Sequence, residues 1–386
     1  MKEVRIGLIG TGFMGKAHAQ AFQNVALLFP DTARPVLEIV ADVSLETADA
    51  AARAFGFRRA TGDWRALVAD PAVDVVDITT PNHLHHEMAL AAIAAGKHVY
   101  CEKPLALTAT QAKEMTEAAD AAGIKTLVGF NFLKNPATGL AKQLIESGGL
   151  GQIVHFRGTF DQDALADPRA PFSWRFERAL AGSGALDDLG AHIINLAQHL
   201  VGDIAEVCGQ TQTIHHERPV AGSGAGYLTR AAEDAEMRRV ENEDQVQFLV
   251  RFANGAGGTI EASRIPSGRK IWLTYEVTGT KGAIYFTQER MNEVQLYRSD
   301  DPSTERGFRT IYIGPDHPHY ANFYPVAGIG LGYSDQKVIE AFELIDGIAQ
   351  DRPPAPDFRA GWKTSQLIEA VLDSVARNRW VSVAAD

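Results

Sequence analysis

The run Tyr100-Cys101-Glu102-Lys103-Pro104 holds the residues best placed to do chemistry. It continues the short apolar pattern Lys97-His98-Val99-Tyr100, so Lys103 stands at a strand end with a proline behind it. A lysine held there and partly desolvated can have its pKa drawn from about 10.4 towards neutrality. It can then exchange a proton with a substrate hydroxyl. A second run, residues 182–195, reads GSGALDDLGAHIIN. A helix starting near Asp187 or Asp188 places Asp188 and His192 four apart on one face. Asn195 and His199 extend that stripe, while Ile193, Leu196 and Leu200 take the packing side. Carboxylate, imidazole and carboxamide in one row can grip a polyol and move its proton. An aspartate here also suits a plain helix N-cap.

A third run supplies a partner for that proton chemistry. Gly10-Thr11-Gly12-Phe13-Met14-Gly15 is G-x-G-x-x-G, after an apolar strand and before a helix. In that setting the glycines permit a tight turn and close approach to a pyrophosphate, which the helix N-terminus favours. Asp42, at the end of the next strand, stands where an acid binds the adenosine ribose hydroxyls. An acid there favours NAD over NADP, and Val43-Ser44 supplies no arginine for a 2′-phosphate. A nicotinamide cofactor takes or gives a hydride, so an organic base suffices and no metal is expected. The pairs His85-His86 and His215-His216 lack helical ligand spacing.

These groups need a scaffold. Over the first 130 or so residues strands alternate with helices. Strand patterns cover 4–9, 37–41, 74–78, 99–100 and 126–130; helical patterns cover 13–26, a stretch through 54, 85–95 and 108–121. Gly96 and Gly123 are helix stops. Such alternation predicts an α/β fold with a parallel, doubly wound sheet. Beyond residue 131 strands follow one another at 153–159, 206–214, 245–252, 256–263, 271–279, 282–287 and 293–297, with turns at 253–255 and 279–282. That pattern predicts an antiparallel sheet. Residues 219–240 read as a long loop, and 334–348 and 362–378 as two helices that return to the first domain. The expected domains are 1–130 for the cofactor and 131–386 for substrate and oligomerisation.

The bulk numbers exclude other classes. The chain has 386 residues, 45% of them hydrophobic and 22% charged, enough for two or three soluble domains. A formal charge of −11 argues against nucleic acid as a partner. No apolar run reaches the roughly 18 residues of a membrane span. The N-terminus enters a strand at once, leaving no room for a secretory leader. Two cysteines make no disulfide framework, so a reducing, cytoplasmic setting is expected.

The motifs also occur in a recognisable order. Gly10-x-Gly12-x-x-Gly15, Thr80-Pro81-Asn82 with His85, Gly96-Lys97-His98-Val99, Glu102-Lys103-Pro104-Leu105 and Asp188-Leu189-Gly190-x-His192 follow one another along the chain. In this the chain resembles the glucose-fructose oxidoreductase/inositol dehydrogenase/MocA family over nearly its whole length. The resemblance implies an N-terminal Rossmann domain, a C-terminal α+β domain with a large open antiparallel sheet, bound NAD or NADP, and homodimers or homotetramers formed through the sheet. It implies that Lys103 contacts the substrate hydroxyl and nicotinamide region and that Glu102 orients its neighbours or the cofactor. The bond before Pro104 is often strained or cis in such a turn. Asp188 and His192 hold the substrate hydroxyls, with His192 as proton acceptor. Asn195 stands where inositol dehydrogenases tend to have aspartate. Asn131 and the Trp174-Arg175 pair stand where relatives contact cofactor or substrate.

Residues 131–136 (NFLKNP), Ser173-Trp174-Arg175 and 288–293 (QERMNE) resemble the levoglucosan dehydrogenase-like sugar dehydrogenase branch. That implies oxidation of a pyranose or anhydrosugar hydroxyl to a ketone by hydride transfer to NAD. Aromatic and amide residues suit a neutral sugar. An inositol or polyol 2-dehydrogenase, a keto-sugar reductase and a non-catalytic nucleotide-sensing regulator are the alternatives. His317, His319 and Tyr320 fall in a glycine- and aromatic-rich stretch, read as an exposed loop able to close a site.

Overall fold

A computed structural model describes residues 2–221, 230–232 and 234–384. By contact the chain divides into two units. The first is Met1–Lys134, His319–Pro325 and Ile329–Ser365; the second is Asn135–Pro318, Val326–Gly328 and Gln366–Asp386.

The first unit opens with β1 (Glu3–Ile9), α1 (Phe13–Leu28), β2 (Arg34–Ala41), α2 (Leu45–Phe55), β3 (Arg59–Thr61) and α3 (Trp64–Ala69). It continues with β4 (Val75–Ile78), α4 (His85–Ala94), β5 (His98–Cys101), α5 (Ala109–Ala122) and β6 (Thr126–Val128). Among the described residues the sheet order is β3-β2-β1-β4-β5-β6, and all pairings are parallel. This is the doubly wound sheet expected from the alternation. β3 and α3 escaped the periodicity because three and six residues are too few to show one. Local chemistry sets the helix ends. Ser44 and Thr108 cap α2 and α5 by accepting the N–H groups of Thr47 and Gln111, and Gly56 and Gly123 end them in left-handed conformations. Ile6, Leu8, Phe22, Val25, Tyr100 and Leu127 share one buried core. Each large apolar side chain so buried contributes roughly 1.5–3 kcal/mol.

The second unit contains α6 (Pro136–Glu146), β7 (Ile153–Asp161), α7 (Arg178–Ala181), a π-helical segment Leu186–Gly190, α8 (Ala191–Val201) and β8 (Ile204–Gln212). Strands β9 (Glu217–Pro219), β10 (Met237–Arg239), β11 (Gln245–Phe252), β12 (Gly257–Ser263), β13 (Trp272–Gly279), β14 (Gly282–Thr287), β15 (Glu293–Arg298) and β16 (Arg309–Tyr312) follow. The chain ends in α9 (Tyr333–Ala349), α10 (Phe358–Arg377) and β17 (Val381–Ser382). The described order of the large sheet is β16-β15-β14-β13-β7-β12-β11-β8-β17. Its pairings are antiparallel except β7 with β12, which is parallel. The sheet is thus the large antiparallel one expected, with one parallel ladder that arises because α8, β8 and β11 intervene before β12 joins the side of β7. Of the 219–240 loop, residues 222–229 and 233 lie outside the described residues. Part of the rest forms the β9–β10 ribbon. Gly158 lets α8 lie close on β7: a Cβ there would meet Ile193 Cγ1 at 2.6 Å. Among the described residues, no helix is long and apolar enough to cross a membrane.

Candidate active site

Strand order brings the predicted turns of the first unit together. β1 lies between β2 and β4, and β5 pairs with β4. The turns after β2, β1, β4 and β5 therefore stand side by side, at the point where the order reverses. They carry Asp42, Gly10–Gly15, Thr80-Pro81-Asn82 and Glu102-Lys103-Pro104.

The glycine turn fits a dinucleotide. Gly10 has φ 96, open to glycine at little cost. A Cβ on Gly15 would stand 2.1 Å from the Gly10 carbonyl oxygen, so only glycine permits this crossing. Around Gly12 a Cβ would meet nothing within 4 Å. The start of α1 has neither a side-chain cap nor an acidic residue in its first turn. Its leading N–H groups and partial positive charge are thus available to a pyrophosphate. Phe13 is 74% exposed and Met14 and Thr11 are half-buried. Asp42 faces this turn: one carboxylate oxygen accepts the Thr11 N–H at 2.8 Å and the Thr11 hydroxyl, and the other accepts the Val43 N–H at 2.7 Å. The acid predicted for the ribose is thereby braced against the phosphate turn.

Behind these turns the side chains point inward. His85 is fully buried, with Nδ1 at 2.8 Å from the Pro104 carbonyl and Nε2 at 2.9 Å from the Thr80 carbonyl. Burial lowers its pKa against the pull of those two carbonyls. His85 thus ties the Thr80 turn to the Lys103 turn, whose Lys103–Pro104 bond is cis. Glu102 is buried as well. Its Oε1 accepts from His18 Nε2 at 2.9 Å and from Lys337 Nζ at 2.6 Å, and its Oε2 accepts the Lys103 backbone N–H at 3.1 Å. His18 Nδ1 meets both Asp77 oxygens at 2.9 and 3.0 Å. Lys337 also donates to Glu340 at 2.8 Å, and Glu340 accepts the Tyr100 hydroxyl. Burial opposes charge on His18, Asp77, Tyr100, Glu102 and Lys337. Asp77 nonetheless leads in holding the His18 imidazolium up to about 9. Lys337 and His18 hold Glu102 well below the usual carboxylate range against its burial. Lys103 itself is half-buried at the surface of this cluster. Asn131, also buried, donates to Gln336 at 3.2 Å.

The second unit places Asp188, His192 and Asn195 on one continuous helical run, but not as a plain α-helix. Residues Leu186–Gly190 form a π turn that passes into α8. Ala185, not an aspartate, stands at the N-cap of this run, which has no side-chain cap of its own, and the neighbouring acid reaches back to Ser183. Asp187 Oδ2 accepts the Ser183 N–H and hydroxyl, each at 2.6 Å, and is buried. Asp188 is half-buried, whereas His192 and Asn195 are buried. Glu243 caps the run from outside: its Oε1 accepts the Gly184 and Leu186 N–H groups at 2.7 and 3.0 Å. The His192 ring tilts towards Phe160 of β7, with centroids 5.8 Å apart. Trp174 and Arg175 form a short 3₁₀ turn in which the guanidinium lies 4.5 Å over the indole.

Sequence reasoning passed over His18, Asp77, Lys337, Glu340 and Glu243. Each reads as an ordinary surface-type residue in its own element. A polar residue on the core stripe of α1, next to Ala19 and Phe22, was the one available signal for His18. The 314–333 stretch also differs from an open loop. Tyr320 is buried and donates to the Ile329 carbonyl, and His319 packs edge-on against Phe29 and Phe342.

Residues 4–130 match the oxidoreductase family with an NAD-binding Rossmann fold, and residues 139–285 match the GFO/IDH/MocA C-terminal domain. The levoglucosan dehydrogenase of Pseudarthrobacter phenanthrenivorans is 43% identical over 385 residues, covering 99% of each chain. The scyllo-inositol 2-dehydrogenase (NAD(+)) of Bacillus subtilis is 30% identical over 295 residues, 76% of this chain and 77% of its own. A solved structure of levoglucosan dehydrogenase with NADH and levoglucosan superposes with a TM-score of 0.94, at 42% identity and full coverage of both chains. With a family model matching each part of the chain and a relative alike from end to end, this protein belongs to the Gfo/Idh/MocA family of oxidoreductases.

Proposed function

We propose that the protein oxidises a secondary hydroxyl of a pyranose or anhydrosugar, levoglucosan-like, to a ketone with NAD. The observation that carries this is the end-to-end likeness to levoglucosan dehydrogenase, 43% identical over 99% of both chains. The chain also keeps Lys103, Asp188 and His192. When bound, NAD supplies the hydride acceptor. The α1 N-terminus and Gly10–Gly15 would hold its pyrophosphate, and Asp42 its adenosine ribose, which selects against a 2′-phosphate. Thr80, Pro81, Asn82, Phe13 and Met14 would line its path. His85 and Glu102 would serve it from behind by fixing the turns. Asn131, Trp174 and Arg175 remain candidates for direct contact.

His192 is assigned as acceptor of the hydroxyl proton, with Asp188 and Asn195 orienting the sugar. Lys103 is assigned to the same hydroxyl, where a cation favours the alkoxide that forms as the proton leaves. The chain is read as a homo-oligomer of the cytoplasm. Its two cysteines, Cys101 buried and Cys208 half-buried, are free and suit a reducing compartment. The test is NADH formation with levoglucosan, hexoses and inositols side by side at mildly alkaline pH. Turnover highest on levoglucosan or a hexose supports the reading. Turnover confined to inositols moves the protein to the polyol branch, as the scyllo-inositol relative would suggest. NAD binding without turnover on any of them would leave a nucleotide-sensing protein.

A further inference from the structure

We propose that Lys337, which belongs to none of the motifs above, is a positioning residue for the Lys103 turn. The inference rests on the dehydrogenase reading of Lys103. Lys337 stands on α9, more than two hundred residues from that turn, and is 1% exposed. Its ammonium reaches Glu102 Oε1 at 2.6 Å and Glu340 Oε2 at 2.8 Å. Glu102 spends its other oxygen on the Lys103 backbone N–H. The same carboxylate takes His18, one turn beyond Gly15 in the helix that begins at the glycine turn. One buried cation therefore fixes the carboxylate that joins the Lys103 turn to the cofactor helix.

The carboxylate has little other room. A Cβ at Gly129, at the end of β6, would stand 2.6 to 2.8 Å from its three terminal atoms. Side-chain burial leaves Glu102 at 7% exposure, so little of it is open to solvent. Buried ion pairs are poor sources of net stability, since desolvation offsets attraction, yet they specify geometry when every arm is engaged. The groups facing Glu102 are His18 from α1, Asp77 from β4, Tyr100 from its own strand, and Lys337, Glu340 and Tyr333 from α9. Lys337 is the cation that meets Glu102 at 2.6 Å, so its loss leaves the Glu102 charge less neutralised towards the Lys103 turn, even when Glu340 is neutralised with it.

The experiment uses the full-length protein. Lys337→Met strands two buried carboxylates and threatens folding. The variant that decides is therefore Lys337→Met with Glu340→Gln, which removes one charge of each sign. Four readouts are taken: kcat on the sugar that turns over, NADH affinity by fluorescence, melting temperature, and trace acetylation of Lys103 against pH by peptide mass spectrometry. The expected result is a kcat lower by about ten- to hundredfold, as for a reacting group misplaced by around 1 Å. NADH affinity should hold, and the Lys103 acetylation profile should move to higher pH. Lys337→Arg, which restores the cation, should recover part of both. A folded double variant with wild-type kcat and an unmoved profile overturns the proposal. So does parallel loss of kcat, NADH affinity and melting temperature, which marks a merely structural lysine. If the wild-type protein oxidises no sugar, the dehydrogenase reading fails on its own, and the acetylation profile still decides whether Lys337 acts on Lys103.

Discussion

Two side chains are asked to handle one proton, and each can be removed separately. Lys103→Met and His192→Ala should each lower kcat by roughly 10²- to 10⁴-fold, the usual worth of a positioned acid or base. NADH titration should show binding within error of wild type, because neither residue contributes to the glycine turn. Full turnover by both variants would end the assignment. His18 makes a different prediction, on stability. Burial disfavours its charged form, but Asp77 foremost lifts it from 6.5 to about 9. A raised folded value means the imidazolium stabilises the fold fully below pH 6.5 and less as pH climbs through 9. Wild-type melting temperature should therefore fall towards that of His18→Gln across this window. Parallel curves for the two proteins would mean that His18 is neutral in the fold. Lys103, Asp188 and His192 were legible because each stands in a short motif. His18 and Lys337 were not, because their chemistry is made by partners far along the chain.

The elements that carry these residues differ in how plainly they announce themselves. α1 and α5 have long periodic faces and clear ends. The π turn at Leu186–Gly190 has neither, since its extra residue breaks the very spacing from which a helix is inferred. That is why Asp188 and His192 were expected on an ordinary helix face. Two acids explain how the turn survives: Asp187 ties back to Ser183, and Glu243, from the turn before β11, accepts the Gly184 and Leu186 N–H groups. Gly184 is where that closure is tightest, since a Cβ would stand 1.9 Å from the Glu243 carbonyl oxygen. Gly184→Ala should destabilise the protein by about 1–3 kcal/mol or more, the range for forced overpacking. Chemical denaturation would show it, and a midpoint equal to wild type would mean that the β11 turn yields freely. The parallel β7–β12 ladder was hidden for another reason. Direction depends on which strand joins which, and alternation along one strand carries no record of it.

At the scale of the molecule, the large sheet presents an exposed row on one of its faces. Its outward row on β11 includes Gln247, Leu249 at 48% exposure and Arg251. Cross-strand pairs such as Arg251 with Glu206 and Arg157 with Glu276 dress the rest. If copies of the chain associate through this face, light scattering should give two or four chain masses, and Leu249→Arg should shift the balance to smaller species. A wild-type monomer at micromolar concentration would remove the sheet as an assembly surface. The net charge of −11 implies that salt should favour such association. The first unit, finally, is not finished where its sheet is finished. β6 ends at Val128, yet Lys337 and Glu340, which complete the buried cluster around Glu102, belong to α9. During synthesis, Glu102 emerges from the ribosome long before Lys337 does. Until more than two hundred further residues have followed, Glu102 has His18 but not Lys337. The buried cluster behind the Lys103 turn is thus complete only once α9 has been made.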